Sequence, residues 1–316
     1  MTDPSTGVTG TDAAAYVTAP EHQESGPGKP RSLGADAWRD LRRRPMFLVA
    51  GGIVVLLVVI AIFPSWFTSA DPNHKDLDFF RQPPSGDAWF GYDGQGRDVY
   101  ARVIYGTRWT LLVGIAASVL TVLLGGILGI LAGFFGRWVD ALMSRIGEIF
   151  FGLPFVLGAI VILNLVRNAE IRGALPIVFA VVASIAVLQW PVAMRIMRSA
   201  AITAKQQDYV KAARALGASS SRIIFKHMLP NCLAPVLVYG TIALGAFISA
   251  EATLSFLGIG LRDPAVSWGV MMSDSKTYLR VAPHMLLFPA GFLAVTVLAF
   301  VMLGDAIREA LDPKLR

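Results

Sequence analysis

MFLVAGGIVVLLVVIAIF, residues 46–63, is an apolar run without one polar or charged side chain. About 20 apolar residues in a helix cross the roughly 30 Å hydrocarbon core of a bilayer. Backbone groups in that core must satisfy their own hydrogen bonds, which a helix does. The run therefore predicts a transmembrane helix in segment 46–67. The run is longer than the apolar core of a signal peptide and begins only at residue 46, which favours a retained membrane anchor over a cleaved signal peptide.

Long uncharged blocks recur along the whole chain. Composition agrees, since 54% of residues are hydrophobic and only 16% are charged, against about 25% charged in soluble domains. Together with the first run, the blocks predict an all-α integral membrane protein with about six transmembrane helices. The five further predicted spans are residues 109–136, 149–166, 173–194, 233–250 and 285–304.

The ends of the chain differ from this apolar core. Residues 1–34 are rich in Gly, Ser, Thr, Pro and Ala, which predicts a disordered tail. Residues 35–45 form a basic amphipathic segment, suited to membrane lipid or simply flanking the first helix. The net charge of +6 is explained by basic loops rather than by nucleic acid. The single cysteine, Cys232, excludes an internal disulfide and a cysteine-based metal site.

Loop charges predict the orientation. Most of the 28 lysines and arginines fall in segments that share the side of the N-terminus, which predicts that both termini are cytoplasmic. Segments 68–107 and 258–283 are then extracytoplasmic. Residues 108–304 form a core of five helices with a cytoplasmic loop at 197–231, and residues 305–316 form a cytoplasmic tail.

The loop 197–231 is too long and regular for a simple connector. Good helix formers fill residues 206–216, and Gly217 is placed to end that helix. Residues 219–221 are serines that can cap a second short helix. Pro230 is expected to break that helix and open the next span. The pattern predicts a helix–turn–helix knuckle that either docks a partner or is an ordinary surface loop.

Within this loop, Lys211, Ala212, Ala213, Gly217, Leu229 and Pro230 keep the spacing of the EAA loop of ABC importer permeases. Lys211 replaces the usual Glu, and His227 stands at the Ile position. The chain resembles the dipeptide/oligopeptide branch of these permeases, and in particular its C-type (DppC/OppC-like) subunit. The resemblance lies in the motifs DYVKAARALGAS and HMLPN and in segments 91–114, 251–269 and 304–316. The resemblance covers residues 35–316.

This resemblance implies a type I ABC importer permease fold with short cytoplasmic coupling helices, translocating peptides across the cytoplasmic membrane by alternating access. It implies as partners a second related permease, one or two ABC ATPase subunits and an extracytoplasmic substrate-binding protein. ATP and Mg are expected on the ATPases and no cofactor on this chain, whose sequence holds no Walker A motif. Related branches handle dipeptides, longer peptides, nickel complexes or glutathione. The residues expected to dock the ATPase are Lys211, Ala212, Ala213, Ala215, Leu216, Gly217, Ala218 and Ser219, with Leu229 and Pro230 shaping the loop.

Two polar residues stand out within predicted spans. Glu251 lies in or near the end of the fifth, where a mid-bilayer carboxylate costs about 2.5–3.5 kcal/mol. It is interpreted either as a pore-lining or interhelical contact or as a group near the outer interface, satisfied by backbone or Arg. Gln189 precedes Trp190-Pro191 in the fourth span, where proline either kinks the helix or simply packs.

The sequence lacks features that two other classes of membrane protein would need. A secondary transporter or channel for a small polar solute would need intramembrane charges and repeat symmetry, and only Glu251 is available. A membrane enzyme would need a catalytic or metal-binding set. The four histidines have no metal-ligand spacing, so no catalytic residue and no metal site is predicted, and we expect a transport subunit.

Overall fold

The computed structural model describes residues 41–168 and 173–311. The predicted tail 1–34, residues 35–40 of the basic segment and residues 312–316 lie outside the described residues. Within them lie ten α-helices, most of them joined by short connections, although residues 63–98 separate the first two. They are α1 Pro45–Ile62, α2 Val99–Phe135, α3 Arg137–Gly152, α4 Phe155–Asn168, α5 Ala174–Lys205, α6 Asp208–Ala215, α7 Ser220–Arg222, α8 Leu229–Phe256, α9 Trp268–Ser275 and α10 His284–Leu311. A π-helical turn, Ile223–Met228, joins α7 to α8.

Five helical segments are long and apolar enough to cross a membrane: α1, α2, α5, the continuous segment Ser220–Phe256 and α10. The bent pair α3 and α4 makes a sixth if it counts as one span. The prediction of about six transmembrane helices in an all-α protein is therefore confirmed.

The third predicted span, 149–166, is not one straight helix. α3 and α4 meet at an angle of 94°. Leu153 adopts an extended conformation with ψ of 119°, because the ring of Pro154 excludes a helical conformation from the residue before it. The sequence block carries no charge, and its single proline sets the bend.

Several helices run beyond their apolar blocks. α5 continues to Lys205, past the predicted end at residue 194. α2 begins at Val99, inside the predicted external segment 68–107, because the Asp98 side chain caps it by accepting a hydrogen bond from the Ala101 N–H at 3.0 Å. Hydropathy marks the apolar part of a helix, whereas capping residues mark its ends.

α2 and α5 are packed almost backbone to backbone. Gly129 of α2 faces the Met194 carbonyl of α5, and a Cβ on Gly129 would lie 2.5 Å from that oxygen. Gly125 and Gly133, one turn to either side, make equally close approaches. At one end of this pair, the Lys205 Nζ donates to the Phe134 carbonyl at 2.5 Å. Small residues at spacing four permit this approach, so α2 and α5 form one stiff unit.

Two interactions attach other helices to this pair. Arg198 of α5 forms a two-pronged ion pair with Asp140 of α3, whose Nη2 to Oδ2 distance is 2.6 Å. At the opposite end, the Trp268 side chain of α9 is fully buried and donates from Nε1 to the Val103 carbonyl of α2 at 2.9 Å. α2 therefore contacts both ends of the bundle.

We predict that Gly129→Ala lowers the free energy of unfolding by about 1–3 kcal/mol, because a methyl group there forces α2 and α5 apart. The measurement is the apparent melting temperature of the purified protein in detergent. Gly126→Ala is the matched control, since a Cβ at Gly126 would meet only the flexible end of Met197 at 3.5 Å. A Gly129→Ala protein as stable as the Gly126→Ala protein would contradict the close contact.

Candidate functional site: the helical knuckle

The knuckle, residues 206–228, consists of α6, α7 and the π-helical turn. One face of α6 is buried through Val210 and Ala213. These two side chains join a single apolar cluster with residues of α2, α5, the π-helical turn and α8. Its other buried members are Ile130, Phe134, Met197, Ala201, Ala204, Ile223, Ile224, Met228, Cys232 and Val236. The knuckle is thus an extension of the bundle core and not a loose loop.

The tip of the knuckle is a fixed helix end. The Ala218 N–H donates to the Ala213 carbonyl at 3.0 Å and the Gly217 N–H to the Arg214 carbonyl at 3.0 Å. Gly217 has φ of +78°, the left-handed conformation that this type of helix end requires. Leu216, directly before it, is 88% exposed. An apolar side chain is therefore held out from the protein on a rigid turn.

The second half of the knuckle differs from the sequence prediction. The Ser219 side chain caps α7 by accepting a hydrogen bond from the Arg222 N–H at 3.4 Å, as predicted. Pro230 opens the next span as predicted, since it stands in the first turn of α8, Leu229–Phe256. The prediction that it also breaks the short helix is wrong, because the helical segment Ser220–Phe256 continues through it. A proline removes one N–H and crowds the preceding turn, and the wider π-helical turn just before it gives the chain room.

Polar contacts join the two halves. The Asn231 Nδ2 donates to the Tyr209 hydroxyl at 3.3 Å and to the His227 carbonyl at 2.7 Å. Lys211, which stands where the EAA pattern has a carboxylate, pairs instead with Asp208 within α6 at 3.1 Å. Both partners of that ion pair are exposed, so it contributes little stability.

The predicted docking residues divide into two groups. Ala213 is buried in the core cluster and Ala218 is half-buried. Leu229 is half-buried against the same cluster, and Pro230 is exposed. The exposed residues of the set are Lys211, Ala212, Ala215, Leu216, Gly217 and Ser219. The contact surface offered by the knuckle is therefore one face of α6 and its tip.

A groove of about 760 Å³ lies beside the knuckle, between α5 and α8. Its polar lining residues are Arg195, Ser199, Thr203, Gln207, Tyr209 and Asn231. The Arg195 guanidinium stacks 3.8 Å from the centre of the Phe151 ring. Sequence reasoning missed this groove because its residues lie on three helices, α5, α6 and α8. The serine and threonine at spacing four in α5 were the available signal.

Glu251 lies near the other end of α8 and is completely buried. Its Oε1 accepts hydrogen bonds from the Ser255 hydroxyl at 2.7 Å and the Ser267 hydroxyl at 2.6 Å. Of the two interpretations left open by the sequence, the geometry corresponds to a contact between elements, made with serine hydroxyls rather than with backbone or arginine. Gln189 is half-buried in α5, which remains a single helix through Pro191.

Charged side chains form a buried cluster at this same end. Asp93 Oδ2 lies 2.7 Å from Arg97 Nε and 2.5 Å from Arg102 Nη1. Asp274 of α9 lies 3.6 Å from Arg97. Burial acts to raise the pKa of Asp93, but Arg102, Arg97 and two backbone N–H donors outweigh it and hold that pKa below its ordinary value. Burial raises the pKa of Asp274 despite the same two arginines.

Among the described residues, no three histidine, cysteine, aspartate or glutamate side chains are grouped so that they could hold a metal ion. The features that are present are a membrane-length helical bundle, a rigid knuckle and a polar groove beside it. The apolar helices define the class of multi-pass membrane proteins.

The chain belongs to the binding-protein-dependent transport system inner membrane component family, whose model matches residues 125–316. Residues 32–84 match the N-terminal transmembrane domain of oligopeptide transport permease C. The resemblance to ABC importer permeases inferred from the sequence is confirmed.

Individual relatives agree with this assignment. The dipeptide transport system permease protein DppC of Alkalihalophilus pseudofirmus is 37% identical over 89% of this chain and 90% of its own length. The oligopeptide transport system permease protein OppC of Bacillus subtilis is 38% identical over 91% of this chain and 92% of its own. The fold is similar to a solved inward-facing structure of the MetNI methionine ABC transporter, with 20% identity, a TM-score of 0.53, and coverage of 66% of this chain and 95% of that one.

We predict that Asp93→Asn lowers the free energy of unfolding at pH 7 by about 3 kcal/mol, because the buried Arg97 and Arg102 keep only the more distant, half-exposed carboxylate of Asp274. A lowered pKa in the folded state stabilises the protein above the ordinary value of 3.8 and ceases to do so as the pH falls through the lowered value. The difference in melting temperature between wild type and variant should therefore narrow below about pH 3.8. Asp87→Asn, at an exposed position, is the control, and a gap that stays constant with pH would contradict the assignment.

Proposed function

We propose that this chain is the transmembrane permease subunit of an ATP-binding cassette importer that moves peptides across the cytoplasmic membrane. Its partners are a second related permease, ABC ATPase subunits that bind ATP and Mg, and an extracytoplasmic substrate-binding protein. The N- and C-termini and the knuckle face the cytoplasm. Support comes from the family of the chain, from the peptide specificity in the names of two relatives, and from the loop charges.

The knuckle carries this proposal. A subunit driven from outside needs a surface that the driving protein can hold and a stiff connection from that surface to the transmembrane helices. Leu216 is exposed on a fixed turn, and Val210 and Ala213 fasten the same helix into the bundle core. A movement imposed on α6 therefore reaches α2, α5 and α8 together.

The peptide substrate has its own support in the groove beside the knuckle. A peptide carries many donors and acceptors, and the groove offers hydroxyl, amide and guanidinium groups. Its volume lies within the usual range for sites that bind small molecules. Arg195 supplies a positive charge there that suits the carboxylate of a peptide. A second permease would complete the path around this groove.

We predict that Leu216→Glu abolishes stable association with the ATPase subunit while the chain stays folded, because the altered side chain is exposed. Co-purification of the tagged permease complex from membranes should show an at least tenfold loss of ATPase, as for a central interface residue. ATP-dependent uptake of a labelled dipeptide into proteoliposomes containing the binding protein should fall with it.

The matched control is Val281→Glu, which alters a comparably exposed apolar residue, 69% exposed, at the other end of the bundle. It should retain the ATPase. Full association of the Leu216→Glu protein would show that the tip of the knuckle is not the docking surface. Peptide uptake by the purified chain alone, without any ATPase, would contradict the importer proposal and favour a self-contained transporter.

A further inference from the structure

Glu251 joins α8 to α9 at the end of the bundle away from the knuckle. It projects from the last turns of α8, Ser255 lies one turn further along α8, and Ser267 caps the start of α9. Both hydroxyls donate to the same oxygen, Oε1 of Glu251, at 2.7 and 2.6 Å. Hydrogen bonds to a carboxylate are stronger than those between neutral groups. One side chain therefore ties α8 to α9.

The two serines extend this connection into the backbone of the external segment. In the structure this segment is residues 257–283, one residue longer than the predicted 258–283, because α8 ends at Phe256. The Leu261 N–H donates to the Ser255 hydroxyl at 2.9 Å, and the Val270 N–H donates to the Ser267 hydroxyl at 3.4 Å. Each hydroxyl thus accepts from backbone while it donates to Glu251. The chain between Phe256 and α9 and the first turn of α9 are both positioned from one carboxylate.

Close packing shows that the connection tolerates little change. A Cβ on Gly269 would lie 2.7 Å from the Cα of Ala252, and one on Gly260 would lie 2.5 Å from Ser255. α9 therefore rests directly on the backbone of α8. Residue Ala265, in the middle of the connecting chain, is completely buried.

The placement of Glu251 relates these contacts to transport. The helical segment that carries it starts at Ser220, within the knuckle, and runs without interruption to Phe256. The same helix is therefore held by the knuckle at one end and by Glu251 at the other. A movement of the knuckle therefore also moves the Glu251 carboxyl group, which positions the external segment.

We propose that Glu251 is a positioning residue of the transport cycle, which fastens the external segment 257–283 to α8 so that the outer mouth moves with the knuckle. This inference rests on the proposed function. In this proposal the external segment opens and closes, and Glu251 attaches it to α8. If this attachment is lost, the ATPases continue to hydrolyse ATP, but hydrolysis no longer controls the outer mouth of the pore.

The test uses the full importer in right-side-out vesicles. Cys232 is replaced by alanine, which removes the only native cysteine, and Ala265→Cys introduces a buried reporter in the external segment. The rate of modification by a membrane-impermeant maleimide is measured without nucleotide and with the ATPases held in the ATP-bound state. Dipeptide uptake and stimulation of ATP hydrolysis by the binding protein are measured in parallel.

We expect Glu251→Ala to raise the nucleotide-free modification rate about tenfold, the effect of losing two buried hydrogen bonds, and to remove its dependence on ATP. Uptake should fall while basal ATP hydrolysis continues. Ser267→Ala should act in the same direction, since it cuts the bond to α9 and leaves α8 intact, and it keeps the proposal testable if the Glu251 variant fails to fold. Ser273→Ala is the matched control, because its hydroxyl also links α9 to α8 but at an exposed position, where water replaces it.

Two failures can be told apart. If the parent complex shows ATP-dependent uptake and a nucleotide-dependent reporter, and Glu251→Ala and Ser267→Ala behave like Ser273→Ala, the positioning role is overturned and the importer function stands. If the parent complex itself shows no ATP-dependent uptake, the proposed function fails and the positioning role fails with it.

Discussion

The near-contact between the backbones of α2 and α5 is the constraint on which the remaining architecture depends. The Gly125, Gly129 and Gly133 stripe leaves no room for a side chain, and lipid offers no hydrophobic force to drive such helices together. Tight packing and hydrogen bonding therefore carry the association. With this pair fixed, Arg198 holds α3 against α5. The side chains of Phe134 and Met197 pack against the buried residues of the knuckle.

The two ends of the bundle are held together by different sets of interactions. At the knuckle end, the cluster is apolar and continuous, so shape is preserved by packing. At the other end, α9 and the chain beside it also pack into apolar clusters, through Leu261, Ala265, Trp268 and Met271. Polar contacts through Glu251, Trp268 and the cluster around Asp93 are added to that packing. Packing therefore holds both ends, and the second end also has discrete hydrogen bonds and ion pairs, which are exchanged at lower cost than a packed core is deformed.

Much of the fold could be predicted from sequence, for a simple physical reason. Hydrocarbon imposes a length and a composition on any helix that crosses it, and residues 46–63 meet both. The helix end at Gly217 and the cap at Ser219 were also predictable, because both depend on local backbone chemistry. The bend at Pro154 and the uninterrupted helix through Pro230 were not. The outcome at a proline depends on the neighbouring turns and on what packs against them.

The site was predictable only in part. The knuckle is local in sequence and its exposed tip follows from its pattern, but the burial of Ala213 depends on α2 and α5. Of the partners of Glu251, Ser255 stands four residues further along the same helix, a spacing that the sequence does show. Ser267 lies 16 residues away, and serines occur often enough that nothing in the sequence distinguishes it. Contacts between distant segments require the three-dimensional arrangement.

The uninterrupted helical segment Ser220–Phe256 has a mechanical consequence. Its 37 residues give a rod of about 55 Å at about 1.5 Å per residue. A tilt of about 10° imposed at the base would sweep the distal tip through about 10 Å, on the scale of a helix diameter. A subunit of this design could convert a slight displacement at the knuckle into an aperture wide enough for a solute.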